Sequence, residues 1–157
     1  EKNKSFIIIE NNPKELVKTI TKSNISILVE TESQKENNFK ILVVDDSLTT
    51  RVQIKRILET EGYDVEIGVD GEDGWSKANA DKYALIITDM EMPRLNGLEF
   101  TKRIKESQKL KETPVIILTS LGSEDNIKQG MDAGADAYLV KTKFDRKDLL
   151  QIVKRLK

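Results

Sequence analysis

The stretch ALIITDMEMPRLNG, residues 84–97, begins as an apolar run and then reaches an aspartate, Asp89. Glu91, Pro93 and an Asn-Gly turn signal follow closely. Burying an ionised carboxylate is costly unless a partner or an ion compensates its charge. Either the strand therefore ends at Asp89, or this carboxylate has a chemical role.

Similar short apolar runs recur from Lys40 onward and alternate with helix-like stretches. Near-continuous apolar runs of this length are typical of parallel strands that are buried on both faces. The predicted strands are KILVVDD, YDVEIGV, ALIITDM, PVIILTS and AYLVK. The predicted helices are TTRVQIKRILETEG, GEDGWSKANADK, LEFTKRIKESQ, SEDNIKQGMDAG and RKDLLQIVKRL. This alternation predicts an α/β fold with a five-stranded parallel sheet.

The ends and faces of the helices can also be predicted. In the first helix, the apolar residues expected on or near one side are Val52, Ile54, Ile57 and Leu58. Gly62 is the expected stop signal for that helix. The residues expected to cap helix N-termini are Asp70, Ser123 and Asp145.

Residues 1–39 differ from the rest of the chain. SFIIIE and ISILVE read as strands, NNPKELVKTITKS reads as a short helix, and TESQKENN is a polar connector. This strand-helix-strand extension is too small to hold a core alone, so we expect it to dock on the main domain or to belong to a neighbouring one. The expected division is an extension and linker at 1–39 and a main domain at 40–157.

Composition excludes several classes of function. The chain has 157 residues with 26 Lys and Arg against 27 Asp and Glu, and a net charge of −1 indicates no nucleic-acid footprint. Its apolar runs are too short to span a bilayer, so we expect a cytoplasmic domain without a membrane partner. It has no cysteine and no histidine, which excludes zinc-thiolate sites, Ser-His-Asp triads and a phosphohistidine within this chain.

Chemically useful residues follow the strong strands. They are Asp45, Asp46, Asp89, Thr119, Ser120 and Lys141. The carboxyl ends of parallel strands meet at one edge of a sheet, so the three carboxylates are expected to lie together and to repel one another. With only oxygen ligands available, a hard cation such as Mg²⁺ fits best. Asp89 is then the candidate nucleophile for an acyl phosphate, with Lys141 as a second positive charge.

The motifs VVDDS, TDMEMP…NG, ILTS and AGADAYLVK resemble those of the response-regulator receiver (CheY-like) family, in the family's order and spacing over residues 40–157. The resemblance implies a flavodoxin-like, doubly wound sheet with strand order 2-1-3-4-5 and helices on both faces. It also implies a signalling switch of a two-component phosphorelay rather than an enzyme. Such a switch receives phosphoryl from the phosphohistidine of a partner histidine kinase.

The resemblance also implies roles for individual residues. It assigns the Mg²⁺ site to Asp45 (mainly through water), Asp46, Asp89 and the backbone carbonyl of Glu91. It assigns phosphoryl chemistry to Asp89 as phosphoacceptor, to Lys141 and to Thr119. Tyr138 is implied to be a switch aromatic that turns inward when Thr119 shifts, although packing alone would equally explain an aromatic in a strand. The implied output is a changed surface formed by the fourth helix, fifth strand and fifth helix, where a downstream signalling protein binds.

The sequence departs from most receivers after Lys141. Those receivers place a cis proline there, but Thr142 follows here, and a cis bond before a non-proline residue costs about 3 kcal/mol, so we expect a trans bond. The segments VKTKFD, DDSLTTR and TSLGSEDNIKQG resemble receivers fused to chemotaxis histidine kinases of the CheA type. This implies a chemotaxis hybrid, with residues 6–20 as the tail of a CheW-like domain and 31–39 as the linker.

Two other functions compete with the switch. A pseudo-receiver would bind partners without phosphorylation, although the complete acidic set with Lys141 argues against it. A Mg²⁺-dependent aspartyl phosphohydrolase would carry D-x-D directly after the first strand, but VVDDSL lacks that spacing. Phosphotransfer to Asp89 is therefore the leading hypothesis.

Overall fold

The computed structural model describes residues 39–143 and 145–157. Several expectations fall on residues 1–38: a strand-helix-strand extension, a CheW-like tail and most of the linker. They lie outside the described residues.

Five strands and five helices alternate along the described chain. The strands are β1 (Lys40–Val44), β2 (Asp64–Gly68), β3 (Leu85–Thr88), β4 (Val115–Thr119) and β5 (Ala137–Val140). The helices are α1 (Leu48–Thr60), α2 (Gly71–Ala80), α3 (Gly97–Glu106), α4 (Glu124–Asp132) and α5 (Arg146–Leu156). None of these helices has the length and apolar character needed to cross a membrane.

All strands are parallel, and their order in the sheet is β2-β1-β3-β4-β5. This order confirms the flavodoxin-like, doubly wound fold. β1, β3 and β4 are almost wholly buried, whereas the edge strands β2 and β5 are partly exposed. The sheet therefore brings the carboxyl ends of β1 and β3 together as neighbours.

Side chains that alternate along the strands build one core on each face of the sheet. The first core joins β1 to α1 and α5 through Ile41, Val43, Ile54, Leu58, Leu149 and Val153. The second joins β1 to α2 and α3 through Leu42, Val44, Ala78, Phe100 and Ile104. Because the sheet is covered on both sides, its strands read as continuous apolar runs.

Side chains cap the N-termini of all five described helices. The capping residues are Ser47, Asp70, Asn96, Ser123 and Asp145. The predictions for Asp70, Ser123 and Asp145 are confirmed, and Asp145 also forms a reciprocal capping box with Asp148. Gly62 has a φ of +92° directly after the end of α1, as the predicted stop signal requires.

One prediction for α1 is wrong. Val52 is 44% exposed, while Ile54 and Leu58 are buried. An α-helix has about 3.6 residues per turn, so a residue two positions from Ile54 lies on the opposite side. The position one turn before Ile54 is instead occupied by a buried arginine, Arg51.

The loop after β5 begins with a trans bond. No cis peptide occurs in the described part of the chain, so the bond between Lys141 and Thr142 is trans, as predicted. The backbone turns at once, because the amide of Lys143 donates to the carbonyl of Val140 over 2.9 Å.

Substitutions on the two faces of α1 should lower the free energy of unfolding by different amounts. Ile54→Ala should lower the free energy of unfolding by about 2–4 kcal/mol, because it leaves a cavity in the core. Val52→Ala should change it by at most about 0.5 kcal/mol, since the side chain is exposed. Urea denaturation of both variants measures this difference, and equal costs would contradict the assigned orientation of α1.

Candidate functional site

Three carboxylates converge where β1 and β3 end. One oxygen from each of Asp45, Asp46 and Asp89 lies within 4.8 Å of the others. Asp45 and Asp89 are only 2% and 8% exposed, whereas Asp46 is exposed. The structure thus brings together the acidic residues that the strand ends predicted.

Lys141 crosses from the end of β5 to this cluster. Its Nζ donates to Asp45 Oδ2 over 2.9 Å and to Asp89 Oδ2 over 3.3 Å. Burial by itself lowers the pKa of Lys141, but the hydrogen bonds and negative charges of Asp45 and Asp89 outweigh it and raise that pKa. Lys141 is therefore a fixed positive charge that bridges the two buried carboxylates.

Backbone amides hold the other oxygen of each buried carboxylate. The amide of Ser47 donates to Asp45 Oδ1 over 2.8 Å, and the amide of Met90 donates to Asp89 Oδ1 over 2.7 Å. Burial, together with the charge of Asp89, still raises the pKa of Asp45, although Lys141 and the Ser47 amide oppose the shift. With three carboxylates and one lysine, the cluster has an excess of formal negative charge.

The donor set of the cluster consists of oxygen atoms. Asp45, Asp46 and Asp89 supply carboxylates, and the backbone of Glu91 borders them, with its amide 3.5 Å from Asp89 Oδ1. Carboxylate and carbonyl oxygens are the ligands that Mg²⁺ prefers, and Mg²⁺ keeps several waters when it binds few protein groups. These residues therefore fit a hard divalent cation.

The two residues predicted to switch share a contact with one loop residue. Thr119 is fully buried, and its Oγ1 accepts a 3.4 Å bond from the amide of Leu121. The Tyr138 hydroxyl donates to the Leu121 carbonyl over 2.6 Å, and its ring packs beside Met90 and Ile117. Burial, followed by the charge of Asp89, raises the pKa of Tyr138. Thr119 and Tyr138 are thus linked through the loop after β4.

Arg51 also belongs to the site, although the sequence analysis did not identify it. Arg51 is 8% exposed, and its Nη1 donates to the backbone carbonyl of Asp45 over 2.6 Å. Arg51 therefore holds the backbone of the segment between β1 and α1 in place. Its position three residues before Ile54, on the same helix face, was the signal that could have revealed it.

Comparison with known proteins agrees with this geometry. Residues 41–154 match the family model described as the response regulator receiver domain. The chain belongs to the response regulator receiver family. Receiver domains take phosphoryl groups from histidine kinases, signal to downstream proteins and bind Mg²⁺ at an acidic pocket.

Two curated proteins are similar to this chain over most of its length. A gliding motility regulatory protein of Myxococcus xanthus is 38% identical over 126 residues, which are 80% of this chain and 16% of that protein. The transcriptional regulatory protein ResD of Bacillus subtilis is 38% identical over 116 residues, or 74% of this chain and 47% of ResD. The chain thus spans about half or less of the length of these two relatives.

Solved receiver structures superpose closely on this one. Chemotaxis protein CheY4 of Vibrio cholerae has a TM-score of 0.71 at 34% identity, covering 76% of this chain and 98% of that structure. The receiver domain of a sensor histidine kinase from Pseudomonas aeruginosa, described with a magnesium ion coordinated in its active site cleft, has a TM-score of 0.70 at 29% identity. That match covers 75% of this chain and 96% of the other.

The ion pairs of Lys141 predict a pH effect. Because the pKa of Lys141 is raised above 10.5 in the folded state, the stability that these pairs supply is complete below that pH and is lost as the pH rises through the raised value. Asp45→Asn should lower the pKa of Lys141, since it removes the closer carboxylate. NMR titration of ¹³C-methylated lysines measures the shift, with Lys141→Arg identifying the signal.

Lys128 provides the control for this titration. Its pKa is raised by Asp132 on the exposed side of α4, so Asp45→Asn should leave it unchanged. An unaltered Lys141 pKa in Asp45→Asn would contradict the assigned pairing.

Proposed function

We propose that this receiver domain accepts a phosphoryl group on Asp89 from the phosphohistidine of a partner kinase, in a reaction that requires Mg²⁺. The observation that carries the proposal is the convergence of Asp45, Asp46, Asp89 and Lys141 at one edge of the sheet. These residues follow three strands, and carboxylates held this close together repel one another unless a cation offsets their charge. The donor phosphohistidine must lie on another chain or segment, because these 157 residues contain no histidine.

Each residue of the site has a distinct role in this reaction. A carboxylate oxygen of Asp89 forms a bond to phosphorus while the phosphorus–nitrogen bond of the donor breaks, and the imidazole leaves with the bonding electrons. Lys141, already 3.3 Å from Asp89 Oδ2, binds a phosphoryl oxygen and offsets its charge. Asp46, Asp89 and the Glu91 carbonyl would hold Mg²⁺, with Asp45 acting through water, and the bound metal supplies further charge neutralisation.

The phosphoryl group would then alter the surface formed by α4, β5 and α5. In this proposal the Thr119 hydroxyl moves toward the phosphoryl oxygens, which disturbs the bond of its Oγ1 with the Leu121 amide. The Tyr138 hydroxyl, held by the Leu121 carbonyl over 2.6 Å, is released by the same movement. A phosphoryl group can shift the equilibrium between two conformations of the protein only if its contacts differ between them. In this proposal the two conformations differ in the contacts of Leu121.

The cellular setting belongs to the same proposal. A chemotaxis phosphorelay in the cytoplasm is favoured by the chemotaxis and gliding motility proteins among the similar sequences and structures. A receiver attached to a histidine kinase is supported by similar domains described as parts of such kinases. In this setting residues 1–39 are the extension and linker of the preceding kinase segment, 40–157 are the receiver, and its partners are proteins rather than nucleic acid or membrane.

Acetyl phosphate tests the assignment of the phosphoacceptor. With Mg²⁺, the wild-type protein should gain one labile phosphoryl group in intact-mass spectrometry, and Asp89→Asn should gain none. Asp64→Asn is the matched control, because Asp64 is exposed at the opposite end of the sheet. Chelation of Mg²⁺ should abolish the adduct in the wild type and in Asp64→Asn.

Other results would favour the competing functions. Absence of any adduct from acetyl phosphate and from a cognate kinase would favour the pseudo-receiver. Continuous turnover of a phosphomonoester would favour a phosphohydrolase.

Thr119 provides a test of the switch. Thr119→Ala should still form the adduct but should lose most of the phosphorylation-dependent shift of the Leu121 and Tyr138 amides in ¹H–¹⁵N NMR spectra. Thr119→Ser keeps the hydroxyl and should retain the shift. Equal shifts in Thr119→Ala and the wild type would exclude the hydroxyl from the switch.

A further inference from the structure

The loop between Asp89 and α3, residues 90–96, is tightly fixed at its end. The amide of Gly97 donates to the carbonyl of Met90 over 2.8 Å. A Cβ on Gly97 would lie 1.9 Å from the carbonyl oxygen of Asp89, and a Cβ on Gly71 would lie 1.9 Å from that of Leu95. The loop therefore rests directly on the start of α2.

Arg94 is the residue in this loop with an unusual backbone. Its φ is +69°, and no other non-glycine residue in the described ranges has a positive φ. This conformation is energetically unfavourable for an L-residue, so other contacts must stabilise it. Arg94 Nε donates to Asp70 Oδ2 over 2.8 Å, and Nη2 donates to the same oxygen.

Asp70 joins this arginine to α2. Its side chain is 5% exposed, and its second oxygen, Oδ1, accepts from the amide of Asp73 over 2.8 Å as the N-cap of α2. The hydrogen bonds from the Asp73 amide and from Arg94 lower the pKa of Asp70. One buried, ionised carboxylate thus caps a helix and binds the loop through a charge-assisted hydrogen bond.

We propose that Arg94, acting through Asp70, is a positioning residue for the metal site. The inference rests on the proposed function, in which the backbone carbonyl of Glu91 is a Mg²⁺ ligand. A carbonyl ligand has no side chain of its own to orient it, so the path of the loop sets its direction. Glu91 lies between two fixed points, the Met90 amide on Asp89 and the Arg94 guanidinium on Asp70.

A positioning role and a purely structural role differ in one measurable respect. If the tie only stabilises the fold, its loss lowers the melting temperature and leaves the Mg²⁺ dependence of phosphorylation unchanged. If the tie orients a ligand, its loss raises the Mg²⁺ concentration that the reaction needs, and saturating Mg²⁺ restores the rate. Removal of groups that hydrogen-bond metal ligands directly typically changes metal affinity by about 10–100-fold, so this indirect tie should act at the lower end of that range.

Two substitutions break the tie while keeping the local backbone. Arg94→Asn removes the guanidinium, and asparagine tolerates a positive φ. Asp70→Asn removes the charge that binds Arg94, and asparagine remains a good N-cap for α2. Arg103→Gln is the control, because Arg103 also forms an ion pair with α2, through Glu72 at 3.6 Å, but lies in α3 and not in the loop.

The test measures the Mg²⁺ dissociation constant by calorimetry and the rate of adduct formation with acetyl phosphate across Mg²⁺ concentrations, using the full chain. Both tie variants should bind Mg²⁺ about tenfold more weakly and recover the wild-type rate at saturation. Arg103→Gln should match the wild type. Thermal denaturation of each variant verifies that it is folded.

The outcomes separate this inference from the proposed function. Unchanged Mg²⁺ affinity in either folded tie variant, or a lost rate that saturating Mg²⁺ does not restore, would overturn the positioning role alone. A wild-type protein that neither binds Mg²⁺ nor forms an adduct would overturn the proposed function and the inference with it.

Discussion

Uncompensated negative charge at one edge of the sheet is the constraint on which the site depends. Asp45 and Asp89 are buried beside each other, and Asp46 adds a third carboxylate. Lys141 supplies one positive charge against these three carboxylates, and burial of the Asp45 carboxyl further raises its pKa. A site with this excess gains free energy from any small cation that its oxygens can reach.

The strand order brings the charged residues together and also connects the site to β5, which is part of the surface formed by α4, β5 and α5. β1 and β3 are neighbours, so Asp45 and Asp89 adjoin, whereas Lys141 must reach them from β5 across the end of β4. The amide of Lys141 donates to the carbonyl of Thr119 over 2.7 Å where it crosses. Lys141, which pairs with Asp89, and Thr119, which carries the proposed switch hydroxyl, are therefore joined by a backbone hydrogen bond.

Much of this arrangement could be predicted from the sequence, because parallel strands that end in aspartate or lysine must meet at one edge. The predicted strands, the trans bond after Lys141 and three helix caps followed from local patterns. Val52 was misplaced because its apolar character was given more weight than the helical period, which puts a residue two positions from Ile54 on the opposite side. The tie between Arg94 and Asp70 spans 24 residues and needs a positive φ, so no local pattern indicated it. The contacts of Leu121 with Thr119 and Tyr138 likewise depend on the path of a loop.

The fold alone does not determine function, since many activities share a doubly wound sheet, and the case for phosphotransfer depends on the acidic edge. Titration of the ¹⁵N-labelled protein with Mg²⁺, followed by NMR, tests this most directly. The amides of Asp46, Ser47, Met90 and Glu91 should shift together with a single dissociation constant. Shifts confined to the exposed acidic residues of the helices, or no shift at all, would contradict a metal-binding phosphoacceptor site.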